Sequence, residues 1–131
     1  MRELTLGSTG ITVPQNAFGA LPIQRRSTED AVALLRKAYE GGMRYFDTAR
    51  AYSDSEEKIG NALSDVREKI FIATKTAAKT PEDFWKDLET SLRLLKTDSD
   101  YSRHLKVTRI VRTCLKAVYF GAFCPFFFGG R

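Results

Sequence analysis

Asp47, Tyr52 and Lys75 are the residues of this chain whose types could together move a proton. A phenol of ordinary pKa, ~10, is a poor proton donor at neutral pH. A lysine ammonium beside it favours the phenolate and lowers that value. The tyrosine then becomes a usable general acid toward a carbonyl oxygen that gains charge. An aspartate next to the lysine would hold it in place and keep it charged. Such a set suits carbonyl reduction by hydride transfer, in which the oxygen needs a proton as hydride reaches carbon. Taken singly, each residue has a plainer reading: a loop aspartate, a solvated lysine, a tyrosine packed on a rim.

The flanking sequence says how these residues would be held. Met43-Arg44-Tyr45-Phe46 reads as a strand ending at Asp47, and Ile70-Phe71-Ile72-Ala73-Thr74 as a parallel strand covered on both faces and ending at Lys75. Tyr52 falls in the loop that follows Asp47. In parallel α/β folds function collects at the carboxyl ends of strands, so paired neighbours would open Asp47 and Lys75 onto one rim. Leu4-Thr5-Leu6 and Ile11-Thr12-Val13, joined by Gly7-Ser8-Thr9-Gly10, predict a β-hairpin. Asn16-Ala17-Phe18-Gly19 predicts a brief strand. Ser27 caps a helix whose apolar face is Ala31, Leu34, Leu35 and Ala38, stopped by Gly41-Gly42. Ser55-Glu56-Glu57 caps a second helix running to about Leu63, with Ile59 and Leu63 inward. Thr80-Pro81-Glu82-Asp83 starts a third, continued by Phe84, Leu88, Leu92 and Leu95. Strand–helix alternation of this kind implies a parallel sheet with right-handed crossovers.

Composition changes near residue 98. The net charge of +5 suggests nucleic-acid binding until it is located. Residues 1–98 hold 15 Lys/Arg against 15 Asp/Glu, whereas residues 99–131 hold six basic residues and one acid, Asp100. Cys114, Cys124 and seven of the fifteen aromatics also lie after residue 98. Two cysteines do not make a metal site and are expected as unpaired thiols. No stretch reaches the ~18 apolar residues of a membrane helix, and no secretory signal is legible, so a cytoplasmic location is expected. The chain therefore reads as two parts, 1–98 and 99–131.

Residues 1–98 resemble the start of the aldo/keto reductase superfamily. The resemblance rests on Leu6-Gly7-Ser8-Thr9-Gly10-Ile11-Thr12-Val13, Phe18-Gly19 and Tyr45-Phe46-Asp47-Thr48-Ala49-Arg50-Ala51-Tyr52. It continues through Ser55-Glu56-Glu57-Lys58-Ile59-Gly60-Asn61-Ala62-Leu63, Ile70-Phe71-Ile72-Ala73-Thr74-Lys75-Thr76 and Ser91-Leu92-Arg93-Leu94-Leu95-Lys96-Thr97-Asp98. Phe18 to Arg25 is similar to a subgroup whose longer members often carry a C-terminal ferredoxin-like extension. The resemblance implies a (β/α)₈ TIM barrel, NADP(H) as cofactor, and a small carbonyl or alcohol as substrate. It makes Tyr52 the acid/base, Lys75 its activator and Asp47 the partner of Lys75. Thr48 and Ala49 would line the cofactor side of the rim.

The resemblance departs after Asp98. The family's fourth strand carries a catalytic histidine; here His104 lies about two residues early and lacks flanking apolar residues, so a solvated surface histidine is its plainer reading. The expected architecture is a partial barrel: a hairpin, about three βα units, then an irregular or helical tail without a fourth parallel strand. A shifted reading frame or truncated gene would explain such a tail. Arg103, Lys106, Arg109, Arg112 and Lys116 would form a basic stripe on a helix. A membrane surface or nucleic acid could meet it, but Gly121, Pro125, Gly129 and Gly130 break any long helix and no base-reading module is present. A barrel with few strands leaves a sheet edge open to self-association. The expected function is NADP(H)-dependent carbonyl reduction by the family, with this chain inactive alone. The alternative is a non-catalytic fragment that acts through self-association or through its tail.

Overall fold

Hydrogen-bonding demand and apolar periodicity together account for the order of elements. The structure is a computed structural model that describes residues 2–8, 10–97 and 105–109. Strands β1 (Glu3–Thr5) and β2 (Thr12–Pro14) pair antiparallel, with Leu4 opposite Val13. Gly7 and Gly10 adopt φ of 53° and 70° in the connection, where a side chain would be strained. Strands β3 (Phe18–Gly19), β4 (Tyr45–Asp47), β5 (Phe71–Thr76) and β6 (Leu105–Arg109) form one sheet in that order. Each neighbouring pair in it is parallel. The sheet does not close into a barrel among the described residues.

Helix α1 (Thr28–Glu40) connects β3 to β4. The Ser27 hydroxyl accepts the Asp30 N–H at 3.1 Å, one of the N–H groups that a helix leaves without an internal partner. Gly42, at φ 95°, supplies the left-handed residue that ends it. The Arg44 guanidinium then donates to the carbonyls of Tyr39 and Met43 and lies 4.2 Å from the Tyr39 ring centre, tying the exit of α1 to the start of β4. Helix α2 (Ser55–Leu63) and a 3₁₀ turn (Ser64–Lys69) lead to β5. Helix α3 (Pro81–Leu94) begins as expected, with the Thr80 hydroxyl accepting the Asp83 N–H at 3.1 Å and Pro81 in the first turn.

The core lies between the sheet and the helices. Phe46 and Ile72 project from β4 and β5 onto Leu35, Ile59, Leu63 and Leu95, all at most 1% exposed. Gly60 lets α2 and α3 approach closely: a Cβ there would meet the Leu94 carbonyl oxygen at 2.1 Å. On β5, Ile72, Thr74 and Thr76 are buried on the helix side, whereas Phe71, Ala73 and Lys75 are half-buried on the other face. The expected strand buried on both faces is therefore buried on one.

Two expectations need correction. Ser55 does not cap α2; Asp54 occupies that position without a side-chain cap bond, and the Ser55 hydroxyl is drawn into the interior. The chain after residue 98 was expected to be irregular or helical and to lack a fourth parallel strand, yet β6 runs beside β5 with Lys75 opposite Thr108 and Thr76 opposite Arg109. Leu105-Lys106-Val107-Thr108 alternates apolar with polar, the period of a strand, and the exposed edge of β5 supplies the backbone partners that this short segment cannot supply for itself. The basic residues at spacings near three obscured that period. Among the described residues no helix is long and apolar enough to cross a membrane.

Candidate active site at the carboxyl ends of the strands

The three residues singled out by type meet at one end of the sheet. β4 and β5 pair in parallel with Asp47 opposite Ala73, and the ladder continues past β4: Thr48 N donates to Ala73 O at 2.8 Å and Arg50 N to Lys75 O at 2.9 Å. Ala20 N, just past β3, donates to Asp47 O at 2.8 Å. Three strand ends are thus stitched side by side. Asp47 and Lys75 occupy the inner face, because Phe46 and Thr74, their chain neighbours, point to the helices.

The Lys75 ammonium donates to Asp47 Oδ2 at 2.7 Å and to the Thr48 carbonyl at 2.6 Å, and lies 5.2 Å from the Tyr52 ring centre. Its side chain is 16% exposed and that of Asp47 43%. This pair is therefore half-solvated, and its effect on a neighbour is stronger than at a free surface but weaker than in a sealed interior. Tyr45 shares the inner face with Asp47. Burial first, and then the Asp47 charge, raises its phenol above the ordinary 10.0.

The loop that carries Tyr52 is tied at several points. Tyr52 N donates to Ala49 O and Ser55 N to Tyr52 O, at 3.0 and 2.8 Å. The Thr48 and Ser55 hydroxyls meet at 2.9 Å, and Ser55 donates on to Ala20 O at 3.2 Å. Ser53, directly after Tyr52, has φ 43°, a left-handed conformation that side chains disfavour. Thr48 and Ala49, expected on the cofactor side of the rim, are buried, and the Thr48 hydroxyl is taken up by Ser55. His104 lies outside the described residues; the β6 residue level with Lys75 is Thr108.

Sequence reasoning missed the charged groups beneath the rim. Glu56, read only as an acid at a helix start, is 1% exposed. Its Oε1 accepts from the Thr74 hydroxyl at 2.7 Å and the Ser91 hydroxyl at 2.8 Å, and its Oε2 pairs with the Arg50 guanidinium. The available signal was its register: Glu56, Ile59, Gly60 and Leu63 share one helix face, and that face is buried. Lys58, 2% exposed, donates to the carbonyls of Ile23 and Arg26 and to Asp54 Oδ2. It thereby holds the 3₁₀ turn Leu21–Arg25, which follows β3, against α2.

A dinucleotide brings phosphate charge that needs cations or open backbone N–H groups. Lys75 and Arg50 are engaged by Asp47 and Glu56. Neither of these two cations at the rim is therefore free of a carboxylate partner to meet the phosphates of a dinucleotide.

Residues 6–101 match the family model described as the aldo/keto reductase family. The methylglyoxal reductase of Salmonella typhimurium is 37% identical over 92 residues, covering 68% of this chain and 32% of that protein. An NADPH-dependent codeinone reductase of Papaver somniferum is 35% identical over 101 residues, covering 70% of this chain and 31% of that protein. Among solved structures, an aldo/keto reductase of Brucella melitensis superposes with a TM-score of 0.62 at 32% identity, covering 74% of this chain and 38% of that one. The chain thus spans about a third of the length of the curated relatives it matches. With the family model matched over most of its length and the strand-end residues assembled on one rim, the chain belongs to the aldo/keto reductase family.

Proposed function

We propose that this chain carries the proton-donating part of an NADP(H)-dependent reduction of small aldehydes or ketones, with Tyr52 as general acid. The observation that carries the reading is the position of the Lys75 ammonium, bound to Asp47 at 2.7 Å and facing the Tyr52 ring at 5.2 Å. Lysine has three N–H donors. Asp47 and the Thr48 carbonyl take two, and the third is left for the phenol oxygen or the reacting carbonyl oxygen. A cation there favours negative charge on either oxygen. Asp47 fixes the lysine; Thr48 and Ala49 shape the rim through their backbone. NADP(H), when bound, supplies the hydride. Relatives named for methylglyoxal and for NADPH-dependent codeinone reduction support this substrate and cofactor class.

Alone, the chain is expected to be inactive, since holding a nicotinamide against a carbonyl carbon contributes ~7–11 kcal/mol of barrier lowering that this open rim does not provide. The open edge of the sheet also favours pairing between copies. The test is a chimera in which residues 1–97 replace the matching first third of the Salmonella methylglyoxal reductase. NADPH oxidation with a reactive aldehyde should appear in the chimera and fall ~10²–10⁴-fold on Tyr52→Phe. A chimera that turns over equally well as Tyr52→Phe would refute the assignment. The unfused chain, assayed beside it, should show no turnover that Tyr52→Phe removes.

A further inference from the structure

We propose that the buried Arg50–Glu56 pair is a positioning device that sets the Tyr52 ring over Lys75. This rests on the reading of Tyr52 and Lys75 given above, and adds two residues to it. Arg50 and Glu56 bracket the five-residue segment 51–55, which contains Tyr52. At one end, Arg50 N is bonded to Lys75 O, so the loop leaves β5 at the level of the lysine itself. At the other, the Glu56 carboxylate is anchored on Thr74, the residue before Lys75, and on Ser91 of α3. The ion pair joins the two ends. The loop is thereby referenced twice to β5, once through the backbone of Lys75 itself and once through the preceding Thr74.

The local conformation shows what the pair works against. Ser53 is held at φ 43°, and such a residue persists only where its surroundings over-determine it. The pair is also more than a fastening for α2. That helix is already held by Ile59 and Leu63 in the core and by Lys58 on the 3₁₀ turn. A carboxylate that needed only a partner could remain with Thr74 and Ser91. The guanidinium, which reaches in from the loop with its side chain 22% exposed, is the component that concerns Tyr52.

Positioning can be separated from structural support, because a buried ion pair fails asymmetrically. Removing one partner strands a charge and destabilises, whereas replacing both with neutral groups is often neutral or stabilising. The readout is the NOE between the Lys75 side-chain methylenes and the Tyr52 ring in the full chain, with the ring-current shift of those methylenes beside it. Glu56→Gln should lower thermal stability and lose the NOE. Arg50→Gln combined with Glu56→Gln should recover stability and still lose the NOE and the shift. A double variant that regains stability together with an unchanged Lys75–Tyr52 NOE would overturn the proposal, leaving the pair structural. If the double variant does not fold, Arg50→Lys is read in its place: it keeps the charge but not the planar fork. An unaltered NOE in that variant would also overturn the proposal, and a lost one sustains it. The chimera activity test is independent of these spectra, so failure of Tyr52 as acid and failure of the positioning pair are told apart.

Discussion

Gly60→Ala gives a sharp test of the packing beneath the rim, because two effects of opposite sign are predicted at one residue. Alanine is ~0.8–1.0 kcal/mol better than glycine in a helix interior, so an unhindered site would gain stability. Here the added methyl would lie 2.1 Å from the Leu94 carbonyl oxygen and 3.1 Å from the carbonyl carbons of Leu94 and Leu95. Those atoms are backbone, so no rotamer change relieves the clash; the end of α3 must retreat by more than an ångström. Overpacking of this kind costs ~1–3 kcal/mol. The retreat also draws Leu95, fully buried, out of the core and stretches the Ser91–Glu56 hydrogen bond, and a bond to a charged group contributes ~1.5–3 kcal/mol. The costs exceed the gain, and a net loss of ~2–4 kcal/mol follows. For a domain of this size that lowers Tm by roughly 10–25 °C. The assay is thermal and urea unfolding followed by circular dichroism, with exposed Asn61→Ala on the same helix as the control for propensity alone, expected to gain about 0.5 kcal/mol. A Gly60→Ala protein as stable as the parent would show that α2 and α3 do not approach as described.

Three further outcomes follow from the local geometry. Lys96, at φ 51° just past α3, occupies the left-handed position that glycine takes at no steric cost, so Lys96→Gly should raise stability by ~1 kcal/mol in urea titration. Hydrogen bonding to Lys58 holds the Asp54 carboxyl below its ordinary 3.8. A depressed carboxylate stabilises above its unfolded value and loses that contribution as pH falls through the folded one. The parent should thus lose stability below about pH 4, and an acid titration of Asp54→Asn should be shallower there. Tyr45 behaves oppositely: burial and then the Asp47 charge raise its phenol above 10.0, so the folded state holds its proton longer and stability falls as pH rises past that value. An alkaline melt of Tyr45→Phe should be flatter above pH ~10, and equal slopes in the two proteins would contradict the placement of Tyr45 beside Asp47.

Legibility in the sequence followed the range of the forces involved. The Ser27 and Thr80 caps, the glycine stop after α1 and the inward stripe of Ile59 and Leu63 depend on residues a few positions apart, and each was readable. So was the meeting of Asp47 and Lys75, since parallel pairing of adjacent strands leaves little choice of rim. Glu56 was not readable as a buried anchor, because its partners Thr74 and Ser91 come from β5 and α3. The same holds for Lys58, whose acceptors are carbonyls some 30 residues upstream. Strand β6 was misread because its pairing depends on the free edge of β5, and a short segment of alternating pattern carries little preference of its own.

The sequence by itself determined the alternation of strands and helices, the end of the sheet at which polar residues gather, and the aldo/keto reductase character carried by Asp47-Thr48-Ala49-Arg50-Ala51-Tyr52. These depend on local periodicity, capping and the direction in which parallel strands run. Only the tertiary structure decided which face of β5 is buried, where Ser55 and Thr48 spend their hydroxyls, and which buried charges hold the Tyr52 loop. The physical reason is that a buried polar group must find its partner wherever the fold places one. For Glu56 and Lys58 those partners lie on other elements, at distances along the chain over which sequence spacing carries no geometric information.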